Sequence, residues 1–181
     1  MTPESTTANS EALEPPYSHQ VNAAWGWLEL GNVSEAQSEL ADLPCSIFLH
    51  PDVLMIRWEL CSTLQDWDRA LGYAQLLAKI CPDCPDSWIK QSYALHELKR
   101  TQEAWDSLLR VSNQFEQCPT IAYNLACYAC QLDRCAEAES WLRQRAKAQS
   151  RQKCPGFILA IFLLLSTGPT PKMLRLSCHL E

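Results

Sequence analysis

The stretch PTIAYNLACYACQLDRCAEAESWL, residues 119–142, decides the fold. It opens on Pro119, ends a first apolar segment at Leu132, and carries Ala138 at the end of the phrase Asp-Arg-Cys-Ala-Glu-Ala. Three similar phrases occur earlier in the chain, and each ends on an alanine. These alanines are spaced by 34 residues each time: Ala36, Ala70, Ala104 and Ala138. A fixed period of this length indicates a repeat architecture.

Prolines and leucines follow the same period. Pro51, Pro85 and Pro119 are also 34 residues apart, and proline is favoured in the first turn of a helix, where its missing N–H is no loss. Between the prolines, apolar residues recur at helical spacing. A leucine ends each first apolar segment, at Leu30, Leu64, Leu98 and Leu132. Each unit therefore predicts a helix A of about 13 residues, a short turn and a helix B of similar length.

The pattern inside the units is that of a known family. A single helix pair cannot bury its own apolar face, so such units occur in stacked arrays, and the small alanine permits close approach of the two helices. The period and pattern resemble the tetratricopeptide repeat family over roughly residues 17–148. Trp88 falls on the family's early tryptophan position, Ala126 on its small mid-helix position and Pro82 on its closing proline.

The resemblance implies an all-α fold, an α-solenoid of about four helix-turn-helix repeats with a C-terminal capping segment. The sequence departs from the family at Gln20, where tryptophan is usual, and at Arg57 and Trp58, where leucine and a small residue are usual. We expect a disordered N-terminal arm and, after the repeats, a basic and apolar capping segment with an irregular tail. The expected segments are 1–16 for the arm, 17–50, 51–84, 85–118 and 119–148 for the repeats, and 149–181 for the cap and tail.

Charge and hydropathy limit the class of protein. Residues 1–142 carry a net charge of −12 and residues 143–181 a net charge of +6, and an acidic body argues against non-specific nucleic-acid binding. The polar N-terminus lacks the apolar region of a secretory signal. The longest apolar run, residues 157–165, is too short to span a membrane. We therefore expect a cytoplasmic protein with reduced cysteines. The apolar run is expected to cover the last repeat, and the alternative is that it stays available for a second chain or a membrane surface.

Two Cys-x-x-Cys pairs suggest a different class of function. Cys81 and Cys84 form one pair and Cys127 and Cys130 the other. Four thiolates hold structural zinc, and a Cys-x-x-Cys dithiol can be redox-active. The pairs are separated by 42 intervening residues, which is outside zinc-ribbon spacing. The alternative reading treats the cysteines as small buried apolar residues, so we expect no metal and no cofactor.

The resemblance also implies a binding groove lined by one face of every helix A. Its side chains are aromatic or aliphatic with few charges, which suits a peptide or helix of a partner protein. By position, the predicted groove residues are Asn22, Trp25, Met55, Ile56, Glu59, Ile89, Lys90, Tyr93, Tyr123, Asn124 and Cys127, with His96 and Cys130 at the same face.

The sequence therefore predicts a non-catalytic protein-interaction scaffold. The alternatives left open are a zinc- or redox-dependent protein and a chaperone like the short tetratricopeptide proteins of bacterial secretion systems. No glycine-rich phosphate loop is present, since none of the five glycines is clustered. The partner and the oligomeric state are not determined by the sequence.

Overall fold

The protein is helical throughout the part that the structure describes. A computed structural model describes the backbone of residues 12–151 and the side chains as far as residue 146. This range contains eight α-helices, one short 3-10 helix (Cys45–Ile47) and no β-strand, so the predicted all-α class is confirmed. The helices are α1 (Tyr17–Glu29), α2 (Val33–Ala41), α3 (Pro51–Thr63), α4 (Trp67–Ile80), α5 (Pro85–Glu97), α6 (Thr101–Val111), α7 (Pro119–Gln131) and α8 (Cys135–Arg151). Most of the predicted N-terminal arm and of the capping segment lies outside the described residues.

The odd-numbered helices are the A helices and the even-numbered ones the B helices of four pairs. Pro51, Pro85 and Pro119 are the first residues of α3, α5 and α7, as their 34-residue spacing predicts. A proline fits there because the first N–H groups of a helix have no partner within the helix.

The turn from A helix to B helix is built in the same way in all four pairs. The leucine that ends the apolar segment is the C-cap, and the residue after it has a left-handed backbone. The N–H of the following residue bonds the carbonyl five positions back, for example Asn32 to Trp27 at 2.8 Å and Arg100 to Leu95 at 2.9 Å. These bonds define a Schellman motif. Its left-handed residues again recur every 34 positions: Gly31 (φ 76°), Gln65 (58°), Lys99 (64°) and Asp133 (60°).

The residue after the left-handed position also begins the B helix. In the first two pairs its side chain caps that helix. Asn32 Oδ1 accepts the Glu35 N–H at 3.4 Å, and Asp66 Oδ1 accepts the Arg69 N–H at 3.1 Å. One polar residue thus closes the A helix through its backbone and starts the B helix through its side chain.

The described helices pack in two compact units, one that ends at Ser107 and one that begins at Leu108. In the first unit α1 packs on α2 and α3, α2 on α3, α3 on α4, and α4 on α5; in the second α7 packs on α8. The periodic alanines are no more than 3% exposed, as expected for close contacts between helices. Around α1, α2 and α3 the buried residues are Val21, Ala24, Ala36, Leu40, Leu43, Val53, Ile56 and Leu60.

The second repeat accommodates its two unusual residues by side-chain contacts. Arg57 donates a hydrogen bond from Nη2 to the Leu40 carbonyl at 3.0 Å, and its guanidinium lies 5.3 Å from the centre of the Phe48 ring. Trp58 is 6% exposed and contacts Tyr93 edge to face at 6.3 Å. A large aromatic residue therefore occupies a position that is small in the other repeats, and the following A helix packs against it.

Candidate binding surface

The predicted groove residues all lie on A helices, but they differ in exposure. Ile56, Ile89 and Asn124 are 0%, 9% and 3% exposed, so their side chains belong to the protein interior. The remaining members are exposed or partly buried. The accessible surface is therefore narrower than the positional pattern predicts.

A cleft of about 370 Å³ lies between α1 and α3 in the first unit. Three predicted residues line it, namely Asn22, Trp25 and Met55. Trp25 is partly buried and also packs against the hydrophobic core. The other lining residues are Ala12, Leu13, Ser18, Val21 and Asp52. The cleft is thus mainly apolar, with a carboxylate, an amide and a hydroxyl among its lining groups.

A second hollow, of about 490 Å³, is lined only by the six consecutive residues 113–118 of the α6–α7 connection. It is the inside of a surface loop, because no other element contributes a wall. It therefore offers no convergence of side chains from different helices, unlike the cleft between α1 and α3.

The predicted polar residues of α3 and α5 contact each other. Lys90 Nζ lies 3.6 Å from Glu59 Oε2 and 4.1 Å from the centre of the Trp58 ring. Tyr93 contacts Trp58 and also lies edge to face with Trp67 at 5.5 Å. The ammonium is thus held by a carboxylate and an aromatic face. This part of the surface presents an internally paired charge and an aromatic cluster.

In the second unit, Tyr123 and Cys127 lie on α7 beside a buried arginine of α8. The Arg145 guanidinium carbon is 4.3 Å from the centre of the Tyr123 ring, and Arg145 is 9% exposed. Burial raises the pKa of Tyr123 to about 12 and that of Cys127 to about 11. Burial also lowers the pKa of Arg145. At neutral pH the arginine is therefore the charged member of this group.

The two cysteine pairs lie in different kinds of positions in the described residues. Cys81 is the C-cap of α4 and Cys84 the N-cap of α5, whereas Cys127 and Cys130 lie within α7. Burial raises the pKa of Cys81, Cys127 and Cys130, which opposes formation of the reactive thiolate. Across residues 12–146, no three His, Cys, Asp or Glu side chains form a group that could hold a metal ion.

Several residues at these sites were not among the predicted ones, and Leu13, Asp52 and Arg145 are three of them. Leu13 falls in the predicted disordered arm, yet it packs against the core and lines the cleft. Asp52 directly follows the helix-starting Pro51, and a carboxylate there is usual at a helix N-terminus whether or not a ligand is bound. Arg145 belongs to a basic run on a B helix, and a prediction restricted to A helices leaves it out. Its alternation with apolar residues of α8 gives no signal of burial.

Comparison with known proteins confirms the class that the helix pairs define: the chain has the tetratricopeptide-repeat fold. No family model and no curated protein sequence matches it. Among solved structures, the MSR-1 structure of MamA matches with a TM-score of 0.64 and 16% identity over 75% of this chain and 78% of that one. Another MamA crystal structure gives 0.67 and 8% over 76% and 80%. YrrB, described as a TPR protein with an unusual peptide-binding site, gives 0.64 and 15% over 82% and 74%.

The described helices also bear on membrane association. Within residues 12–151, no helix combines the length and the apolar composition that crossing a bilayer requires. The apolar run at 157–165, for which we predict a capping role, lies outside these residues.

Proposed function

We propose that this protein is a non-catalytic scaffold that binds a peptide or helix of a partner protein on the accessible side of its A helices. The observation that carries the proposal is the cleft between α1 and α3, lined by Trp25, Met55 and Asn22. Aromatic and methionine side chains are enriched in protein interfaces, and the aromatic ones bury much area at low entropic cost. YrrB, which has a similar fold and a peptide-binding site, supports the same class of function.

The chemistry of the cleft indicates what its ligand carries. Its walls are apolar, so an apolar side chain of the peptide would fill it. Asp52 supplies the carboxylate in its lining, and about half of its side chain is exposed. A lysine or arginine next to the apolar anchor would therefore be favoured over an acidic residue. We also propose the cytoplasm as the location of the protein.

Selection from a peptide library, followed by affinity measurement with fluorescence anisotropy, tests this proposal. Trp25→Ala should lower the affinity for a selected peptide by about tenfold or more, which is the loss typical of a central aromatic contact. Met55→Ala removes a second lining residue of the cleft that, unlike Trp25, is not an aromatic residue packed on the core. We expect it also to weaken binding of the same peptide. The matched control is Leu30→Ala, since Leu30 is 77% exposed and does not line the cleft.

Two results would contradict the proposal. One is that selected peptides bind Trp25→Ala and Met55→Ala as tightly as the unmodified protein. The other is that Leu30→Ala weakens binding as much as either of them, because the cleft would then have no special role. Far-UV circular dichroism of each variant separates loss of binding from loss of folding.

A further inference from the structure

Cys81 and Cys84 are the two ends of the turn that joins α4 to α5. Cys81 is the C-cap of α4 and Cys84 the N-cap of α5. The Cys84 N–H donates a hydrogen bond to the Cys81 carbonyl at 3.2 Å, so residues 81–84 form a closed β-turn. Pro82 occupies its second position, where a proline is favoured, and its carbonyl accepts the Trp88 indole N–H at 2.8 Å. The turn is therefore closed on itself and also anchored to α5.

This turn holds the two cysteines at a separation that a disulfide can span. The Cα atoms at the ends of a β-turn are less than about 7 Å apart, and disulfides join Cα atoms about 4.4–6.8 Å apart. Neither cysteine has a helical backbone, since φ and ψ are −122° and 67° at Cys81 and −96° and 116° at Cys84. The Cys84 side chain makes no capping hydrogen bond to α5, so a disulfide would displace no cap.

The second Cys-x-x-Cys pair has a different geometry. Cys127 and Cys130 both lie within α7, and residues three apart on a helix keep their Cβ atoms about 5–6 Å apart. A disulfide needs a Cβ separation of about 3.5–4.5 Å, so this pair could be bridged only if α7 were distorted. The same spacing in the sequence therefore gives one pair that suits a disulfide and one that does not.

The surroundings of the turn admit a small oxidant and favour the oxidised form. Pro82 and Asp83 are exposed and the two cysteines are partly buried, so the turn is reached from solvent. Burial, the neighbouring Cys84 and Asp52 all raise the pKa of Cys81, which slows formation of its thiolate. Burial penalises a charged thiolate but not an uncharged disulfide. Dithiols whose thiolates are not stabilised form the more stable disulfides, so the reaction is slow but its product is favoured.

From this geometry we infer that Cys81 and Cys84 are a site of reversible oxidation, at which a low-molecular-weight disulfide such as oxidised glutathione converts the two thiols into one intramolecular disulfide. One thiol loses its proton, and its thiolate attacks a sulfur of the glutathione disulfide. That S–S bond breaks, and the first glutathione leaves and takes up a proton. The second cysteine, as a thiolate, attacks the protein sulfur of the mixed disulfide and releases the second glutathione. The protein thus gives up two electrons and two protons. The inference does not depend on the proposed function.

Equilibration of the full chain with buffers of reduced and oxidised glutathione tests the site. Remaining thiols are alkylated, the chain is digested with trypsin, and the products are measured by mass spectrometry. Cleavage after Lys79 and Lys90 releases residues 80–90, which contain these two cysteines and no other. The reference is a synthetic peptide of the same residues. The equilibrium constant for the internal disulfide should be larger in the folded chain by about tenfold or more, because the turn already holds the two ends together.

Two variants define the role of each pair. Cys84→Ser should stop the reaction at a mixed disulfide between Cys81 and one glutathione. Cys130→Ser, the matched control in the helical pair, should change the equilibrium constant of residues 80–90 by less than about twofold. An equilibrium constant no larger than that of the free peptide, or a mixed disulfide as the main product of the unmodified chain, would overturn the inference. The comparison with the peptide needs no variant, and none of these outcomes affects the peptide-binding test at the cleft.

Discussion

Replacement of Lys99 by glycine should stabilise the protein although it removes a side chain. Lys99 holds φ at 64° between α5 and α6, and the left-handed region costs an L-residue about 1–2 kcal/mol. Glycine avoids that cost but gives the unfolded chain more freedom, which offsets about 0.4–1 kcal/mol. The expected net gain is about 0.5–1 kcal/mol in the free energy of unfolding, or a rise of about 1–4 °C in Tm.

Gly31 provides the reciprocal change at the equivalent position of the first repeat. Its φ is 76°, and a Cβ built there would meet no atom within 4 Å. The cost of Gly31→Ala is therefore conformational and not steric. We expect a loss of similar size, about 0.5–1 kcal/mol. Asp133→Gly should gain less than Lys99→Gly, because aspartate tolerates the left-handed region better than lysine does.

Urea denaturation followed by far-UV circular dichroism measures both changes. The midpoint should rise for Lys99→Gly and fall for Gly31→Ala, with the m-value unchanged, because neither variant alters the surface that unfolding exposes. If both variants shift the midpoint in the same direction, the left-handed conformation is not the cause and the argument is refuted.

Three further predictions concern packing and charge. Ala104→Phe should lower the free energy of unfolding by about 1–3 kcal/mol in calorimetry, because Ala104 is fully buried. Lys90→Ala should cost about 1–2 kcal/mol, since Lys90 covers the Trp58 ring; an unchanged urea midpoint would contradict it. Stability should fall as pH rises from 9 towards 11, because burial raises the pKa of Cys127 from 9.0 to about 11 and the unfolded thiol loses its proton first. Cys127→Ala should flatten the pH profile in that window, and an equally steep decline would argue against this cause.

The elements that sequence reasoning predicted well are those set by local chemistry. Pro85 begins α5 because proline lacks the donor that a helix start does not need. Ala70 is buried because a 34-residue period places it at the same helix contact as Ala36. The left-handed backbone of the turns was not predicted. Gly31 is a residue type that favours this conformation, whereas at Gln65 only the repeat register points to it.

The candidate surface was less predictable because it depends on which way each helix face turns. Ile56 and Met55 are neighbours in the sequence, yet Ile56 is fully buried while Met55 lines the cleft. Successive helical residues point about 100° apart. A predicted face wide enough to include Met55 therefore also includes Ile56, although only one of the two is accessible. The pairing of Lys90 with Glu59 joins helices 31 residues apart in the sequence and needs the packing of α3 and α5.

The partnership of Arg145 with Tyr123 has the same origin. Helices α7 and α8 bring the two side chains together, whereas the sequence shows only an arginine in a basic run. Local patterns do not distinguish a solvated arginine from a buried one, because both alternate with apolar residues along a helix.

The uniform A-to-B turn has a consequence for how the gene can change length. Because each left-handed residue lies 34 positions from the next, removal of residues 65–98 would join Leu64 directly to Lys99. The junction would again be a C-cap leucine followed by a left-handed residue. The main-chain bonds that close the turn do not depend on side-chain identity. Whole periods can thus be lost or duplicated without a new turn having to evolve, whereas a deletion of any other length would leave one turn out of register.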